Sequence, residues 1–254
     1  MSDTNLRARS VSEIVDAAFA LYRRHSGQYI LVVALAHVPT LILQIVMQAS
    51  RAPGSTPSLA NSMLLMPVWL VTGCFMQGVV ILMGSRVYLG GEPDTSSAVS
   101  TVLGRYGQLL TASLLLWIAY AVGLVGFLVG ALYVAARFFA VVTVVVLERR
   151  NAVDAFSRSS VLSDGLKGHV LRALILVYAI YMLLLMGASW IAGLAGNQVV
   201  SLIASSAVTI VVYPVLILTS MVLYYDARIR HEGFDLEQME RALGAPTITP
   251  SANA

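Results

Sequence analysis

The sequence predicts an all-α fold: a polytopic membrane bundle of six transmembrane helices with amphipathic helices at its cytoplasmic interface. Two observations carry this prediction. Hydrophobic residues make up 58% of the 254 residues and charged residues only 11%, against roughly 45–50% and about 25% in soluble domains. Six stretches also reach the roughly 20 apolar residues that a hydrocarbon core about 30 Å thick requires. Soluble globular and disordered proteins are thereby excluded.

The spans are placed at residues 28–47, 63–84, 108–126, 130–147, 170–192 and 199–225, inside one domain of residues 10–241. Residues 1–9 are expected to be a flexible N-terminus and residues 242–254 a disordered tail. No polar loop separates the third and fourth spans, and Gly123, Gly126 and Gly130 are expected to form a tight reversal there. A single tilted helix that continues beyond the membrane is the alternative.

The placement of the charges predicts the orientation. With six spans both termini share one side, and that side collects 14 of the 16 Lys and Arg residues and all 13 acidic residues. Only Arg51 and Arg137 lie elsewhere. Because basic loops stay in the cytoplasm, we expect a multi-pass protein of the inner cell membrane with both termini cytoplasmic.

The cytoplasmic segments share a pattern that indicates a repeat. Ser10 and Glu13 have the spacing of a capping box, and an amphipathic stripe follows. A similar segment precedes each of three glycines, Gly27, Gly107 and Gly168, after which an apolar run begins. The pattern predicts three units, each an interfacial helix, an elbow and a transmembrane hairpin. Chance resemblance among amphipathic elbows is the alternative.

A few polar residues inside the spans form a candidate intramembrane site. Arg137 lies about seven residues from the external turn, roughly 10 Å deep at about 1.5 Å per residue. It either reaches toward outer-leaflet phosphates or points into the bundle toward Gln44, Gln77 or Tyr133. His37 either relays protons or binds a ligand, or it hydrogen-bonds a neighbouring helix.

Prolines are the expected positions of bends in the spans. Pro67 and Pro214 are expected to bend spans two and six, because each proline frees a backbone carbonyl one turn earlier.

Charged residues also cluster where the sixth span ends. A solvated set of ion pairs is one interpretation of this cytoplasmic cluster, and docking of a partner or of the 148–169 helix is the other. Its members are Tyr225, Asp226, Arg228, Arg230 and Glu232.

Catalytic patterns are missing from the sequence. It contains no G-x-S-x-G, no glycine-rich phosphate loop with lysine, no H-E-x-x-H and no pair of carboxylates within the spans. The four histidines do not have zinc-ligand spacing, and Cys74 is the only cysteine. We therefore expect no enzyme activity, no metal and no cofactor. The basic residues are matched by acids, which fits anionic lipid headgroups on the cytoplasmic side rather than nucleic acid.

Three stretches carry a family resemblance: SEIVDAAFALYRRH, ARFFAVVTVVVLERRNAVDAFSRSSVLSDG and above all LYYDARIRHEGFDLEQM. Together they resemble the bacterial and archaeal six-helix proteins related to the membrane domain of glycerophosphoryl diester phosphodiesterase, over roughly residues 10–240. The resemblance implies a six-helix membrane fold in a largely uncharacterised family. Some relatives carry a phosphodiesterase domain after the bundle. Because the sequence stops soon after Arg241, that activity is not expected here.

Two functions remain open from the sequence. The first is a scaffold or subunit of envelope or lipid-related machinery, with a membrane-protein partner or a second copy of the chain. The second is a small transporter or lipid-handling protein with a site near Arg137, His37 and Gln44. A closed, dry bundle favours the scaffold, whereas a polar cavity that converges on Arg137 favours transport.

Overall fold

A computed structural model describes residues 9–50, 59–194 and 196–232. Within these ranges the chain forms ten helices and no strand, which confirms the all-α prediction. Residues 1–8, the loop with Arg51 and the tail after residue 232 lie outside the described residues. The helices are α1 (Val11–Arg24), α2 (Ser26–Ala49), α3 (Leu59–Tyr88), α4 (Thr95–Gly104), α5 (Tyr106–Val125), α6 (Phe127–Arg137), α7 (Val141–Leu147), α8 (Ala152–Leu162), α9 (Lys167–Gly193) and α10 (Gln198–Glu232).

Within the described residues, six segments are long and apolar enough to cross a membrane, which confirms the number of spans predicted from the sequence. Helices α6 and α7 together make the fourth span. The segments are Ser26–Ala49, Met63–Tyr88, Tyr106–Val125, Phe127–Leu147, Lys167–Gly193 and Gln198–Glu232.

The reversal between the third and fourth spans lies at Gly126. Helix α5 ends at Val125 and α6 begins at Phe127, so the tight hairpin is confirmed and the single long helix is wrong. The turn is shorter than expected, because only Gly126 separates the two helices. Phe127, the first residue of α6, has a φ of 58°. A Cβ on Gly130 would lie 2.1 Å from the carbonyl oxygen of Gly123, so the two helices approach through their backbones.

Three short helices, α1, α4 and α8, begin with the same kind of cap. A side-chain oxygen of the capping residue accepts a hydrogen bond from the backbone N–H three residues later, which satisfies an otherwise unpaired donor. The capping residues are Ser10, Asp94 and Asn151. In α1 the Glu13 side chain also accepts from the Ser10 backbone N–H at 2.7 Å, which completes the capping box.

An elbow leads from each short helix into a span. The backbone at the three elbow residues is similar, with φ and ψ of −137° and 35°, −122° and 13°, and −110° and 0° at His25, Arg105 and Leu166. The predicted glycines each follow two residues after an elbow, where a Cβ would meet no other atom within 4 Å. The three units therefore share their local geometry.

The three units close into a ring. Each unit has a hairpin: α2 with α3, α5 with α6 and α7, and α9 with α10. The second helix of each hairpin contacts the first helix of the next: α3 contacts α5, α6 contacts α9, and α10 contacts α2. Each short helix also packs on the last helix of the preceding unit: α4 packs on α3, α8 on α7 and α1 on α10. The side of the ring that carries α1, α4 and α8 is called the elbow face below.

The centre of the ring is closed near the elbow face. Helices α3, α7 and α10 contact one another there, and the valines Val141, Val142, Val144, Val145 and Val146 of α7 are all buried. Gly84 of α3 comes so close to α10 that a Cβ would lie 2.3 Å from a methyl group of Leu218. Among the described residues, aliphatic side chains therefore pack closely in the elbow-face half of the bundle.

Candidate binding cavity

A cavity of about 500 Å³ lies inside the ring, between α3, α5, α6, α7, α9 and α10. Its walls are mostly aliphatic and aromatic. The lining residues on α6 and the segment after it include Leu132, Ala135, Phe138 and Phe139, and those on α9 are Leu171, Leu174, Ile175 and Tyr178. Ile175 is 49% exposed and Tyr178 46% exposed, so the cavity reaches the outer surface of the bundle.

A break in the fourth span borders this cavity. Helix α6 stops at Arg137 and α7 starts at Val141. Ser159 of α8 satisfies the backbone at the break: its hydroxyl donates to the Arg137 carbonyl at 3.1 Å and accepts from the Ala140 N–H at 3.1 Å. The ring of Phe138, at the break, lies 4.9 Å from that of Phe156 on α8. The elbow helix of the third unit therefore fixes the shape of the cavity wall.

A second, smaller cavity of about 120 Å³ adjoins the first. Both are lined by Gln77 and Tyr213, whose side chains are hydrogen-bonded, with the Gln77 amide donating to the tyrosine hydroxyl at 3.3 Å. His37 lines the smaller cavity and lies 3.4 Å from the Ser206 hydroxyl on α10. Its ring also meets Trp69 edge-on, with centroids 6.0 Å apart.

The candidate intramembrane site is thus only partly assembled. Gln77 and His37 line these cavities, whereas Gln44 and Arg137 line neither. Of the two interpretations of His37, the structure shows the hydrogen bond to a neighbouring helix. Within the described residues no group of three or more His, Cys, Asp or Glu side chains could hold a metal ion.

Arg137 lies farther from the reversal between the third and fourth spans than the sequence suggested. It is the last residue of the 11-residue helix α6, so it lies roughly 16 Å from that turn rather than roughly 10 Å. The expected distance counted about seven residues, whereas the 11 residues of α6 extend from the reversal at Gly126 to Arg137. The guanidinium donates to the Tyr133 hydroxyl at 2.8 Å and lies 5.9 Å and 5.8 Å from the ring centroids of Tyr133 and Phe138. Since Tyr133 is 49% exposed, Arg137 lies at the surface of the bundle, one residue from the cavity wall.

Two residues of the charged cluster at the end of α10 are buried and hydrogen-bonded to other segments of the chain. Asp226 is 2% exposed and accepts from the Arg9 backbone N–H and from Arg230 Nε, both at 2.7 Å. Tyr225 is also buried, and its hydroxyl lies 2.6 Å from that of Ser85. The solvated interpretation is therefore wrong for Tyr225 and Asp226, because both lie inside the bundle.

The other members of the cluster, Arg228 and Glu232, lie against the 148–169 segment, as the second interpretation proposed. Arg158 of α8 donates to Glu148 at 3.0 Å and to Glu232 of α10. Arg228 donates to Glu232 at 2.9 Å, and the Tyr224 hydroxyl donates to Glu148 at 3.1 Å. These contacts join α8 to α10 across the elbow face.

No family model matches the chain, and neither a curated protein nor a solved structure matches it. The resemblance to the membrane domain of glycerophosphoryl diester phosphodiesterase stays a prediction.

Proposed function

We propose that this chain is a non-catalytic membrane protein that binds the acyl chain of a lipid in the larger cavity. The cavity itself is the observation that carries the proposal. Its volume of about 500 Å³ falls within the range of about 300–1,000 Å³ that is typical of small-molecule sites. Its walls are aliphatic and aromatic, with a few polar groups such as Gln77, Tyr213 and Ser220.

The position of the cavity supports an acyl chain over a water-soluble ligand. Ile175 and Tyr178 line it and are exposed on α9, a segment long and apolar enough to cross a membrane. The surface around such a helix is covered by lipid tails. A lipid tail therefore has access to the cavity from the side, and the closely packed valines of α7 lie between the cavity and the elbow face.

We also propose that the elbow face is cytoplasmic and that the membrane is the inner cell membrane. Support comes from the charges: 14 of the 16 Lys and Arg residues belong to the side of the termini, and basic segments stay in the cytoplasm. A reporter fused after Ala254 should be active only in the cytoplasm. Activity of that fusion only outside the cell would refute this orientation.

A cavity-filling substitution tests the proposed binding. Ala135 lines the cavity, and Ala135→Phe would fill part of it. Ala121→Phe is the matched control, since Ala121 is exposed on α5 and does not line the cavity. Native mass spectrometry after mild extraction should show lipid bound to the wild type and to the control, but not to Ala135→Phe. Equal lipid retention by all three proteins would overturn the proposal.

A scaffold role is the second candidate function. It is favoured by apolar side chains that stay exposed on the elbow helices, namely Leu103 at 58%, Val153 at 71% and Val161 at 55%. Crosslinking in native membranes tests it. With a photoreactive residue in place of Val161, a protein crosslinked when Val153 is present and lost in Val153→Asp would support a scaffold, and lipid alone at that position would refute it.

A further inference from the structure

We propose that the lipid in the larger cavity is a neutral one and that its small uncharged polar end, a hydroxyl or ester group, binds in the smaller cavity. This inference rests on the proposed function and names the class of ligand. The two cavities adjoin and share lining residues from four helices, namely Gln77, Leu116, Trp117, Val142 and Tyr213. One ligand can therefore place its tail in the larger cavity and its polar end in the smaller one.

The smaller cavity is lined by several side chains that form hydrogen bonds. Two of them are already satisfied within their own helices. The Thr72 hydroxyl donates to the Val68 carbonyl at 2.8 Å, and the Thr209 hydroxyl donates to the Ser205 carbonyl at 2.9 Å. The hydrogen-bonding side chains of this cavity are His37, Thr72, Gln77, Ser113, Thr209 and Tyr213.

Three of these side chains retain capacity for a ligand. Ser113 of α5 is 7% exposed, and its hydroxyl has no hydrogen-bond partner in the part of the chain that the structure describes. Gln77 donates one amide hydrogen to the Tyr213 hydroxyl. Its amide oxygen, its second amide hydrogen and the hydroxyl hydrogen of Tyr213 are then left for a ligand. Because an unpaired hydroxyl in a protein interior is unfavourable, a ligand hydroxyl or carbonyl at Ser113 is stabilising.

The size and the charge of the smaller cavity favour a small neutral group. Its volume of about 120 Å³ holds several groups the size of a water molecule, each of which needs about 10–15 Å³. A glycerol or hydroxymethyl end fits this space. None of the described residues that line either cavity is Asp, Glu, Lys or Arg. A charged headgroup would therefore be buried without a counter-ion, which is costly.

The depth of these polar groups supports the same conclusion. His37 lies at the middle of the segment Ser26–Ala49, and Gln77 lies near the middle of Met63–Tyr88. A phosphate headgroup stays at the bilayer interface, because its charge is expensive to bury in hydrocarbon. A hydroxyl or ester group can lie at this depth when protein groups satisfy its hydrogen bonds, and Gln77 and Ser113 are available for that.

Probe lipids with the same acyl chain test this inference. Monooleoylglycerol has a neutral head, whereas lysophosphatidylglycerol with an oleoyl chain has a charged one. The purified protein is equilibrated with equal amounts of both, and bound lipid is identified by native mass spectrometry. We expect the wild type to be enriched several-fold in monooleoylglycerol, and Gln77→Leu with Ser113→Ala to lose that enrichment. Gln44→Leu is the matched control, since this glutamine of α2 lines neither cavity, and it should keep the enrichment.

Further arms separate the alternatives. If the double variant does not fold, Ser113→Ala alone should lower the enrichment at an unchanged melting temperature, because Ser113 has no protein hydrogen bond to lose. Octadecene, which has no polar end, should be retained less than monooleoylglycerol by the wild type and equally by the double variant. Equal retention of octadecene and monooleoylglycerol by the wild type would mean that the smaller cavity holds only water, and would overturn this inference.

Two other results bear on the proposal. Preference of the wild type for the charged lipid, or enrichment unchanged in both the double variant and Ser113→Ala, overturns this inference alone. Lipid retained equally by Ala135→Phe overturns the proposed function.

Discussion

Substitution of one glycine tests the close approach of α5 and α6. In Gly130→Ala the new Cβ would lie 2.1 Å from the carbonyl oxygen of Gly123, against at least 3.4 Å for an ordinary contact. Both groups belong to helix backbone, so the helices must separate by more than 1 Å. Overpacking of this kind costs about 1–3 kcal/mol, while alanine recovers about 0.5–1 kcal/mol of helix propensity. At the middle of both ranges the net expected loss is about 1 kcal/mol.

The matched control is Gly187→Ala in α9, where a new Cβ meets no atom within 4 Å. It should gain up to about 1 kcal/mol, since only the propensity changes. At about 2–4 °C per kcal/mol for a chain of this size, the melting temperature should fall for Gly130→Ala and rise for Gly187→Ala. Thermal unfolding in one detergent, followed by circular dichroism, measures both. Equal or higher stability of Gly130→Ala than of Gly187→Ala would refute the backbone contact.

Three further predictions concern the elbow face. Ser159→Ala removes the partner of the buried Ala140 N–H and should cost about 1–3 kcal/mol in thermal unfolding; no loss would mean that another group caps the break. Asp226→Asn removes the charge that pairs with Arg230 and weakens the acceptor of the Arg9 backbone N–H, which should cost about 3 kcal/mol, and unchanged stability would contradict the buried network. The hydrogen bond from the Ser97 backbone N–H is the largest cause that lowers the pKa of Asp94, and the hydrogen bond from Arg86 is the next. The stability that the ionised Asp94 carboxylate contributes is therefore lost only as the pH falls through that lowered pKa. Arg86→Gln should raise this pKa only partly, as NMR titration would show, and full recovery of the usual value would make Arg86 the main cause.

The fold was predictable where its signals are local. A span needs only length and apolar composition, and a capping box needs two residues at a fixed spacing, as at Ser10 and Glu13. Closure of the ring depends on which helices pack against each other. That choice depends on shape complementarity between side chains far apart in the sequence. The contact of α1 with α10 joins the two ends of the described chain, and no local pattern encodes it.

The cavity was harder to predict than the fold. His37 and Gln77 stand out as polar residues in apolar runs, and both line cavities. Phe138 and Tyr178 were missed, because an aromatic residue that lines a cavity has the same local pattern as one in the core. Asp226 was misjudged because charge usually indicates exposure, whereas Arg9 and Arg230 satisfy this carboxylate inside the bundle.

The asymmetry of the second unit explains where the cavity lies. Three equal hairpins would fill the ring evenly, but α5 has 20 residues, whereas α2 has 24 and α9 has 27. At about 1.5 Å per residue, the second hairpin is shorter by roughly 6–10 Å. Its returning span is also interrupted, although it has no proline, whereas α3 and α10 continue through Pro67 and Pro214. The expectation that prolines mark the bends is therefore incomplete, because the break at residues 138–140 depends on Ser159 of a neighbouring helix. A short, broken unit beside two continuous ones leaves space at its boundary with the third unit, and the larger cavity lies there.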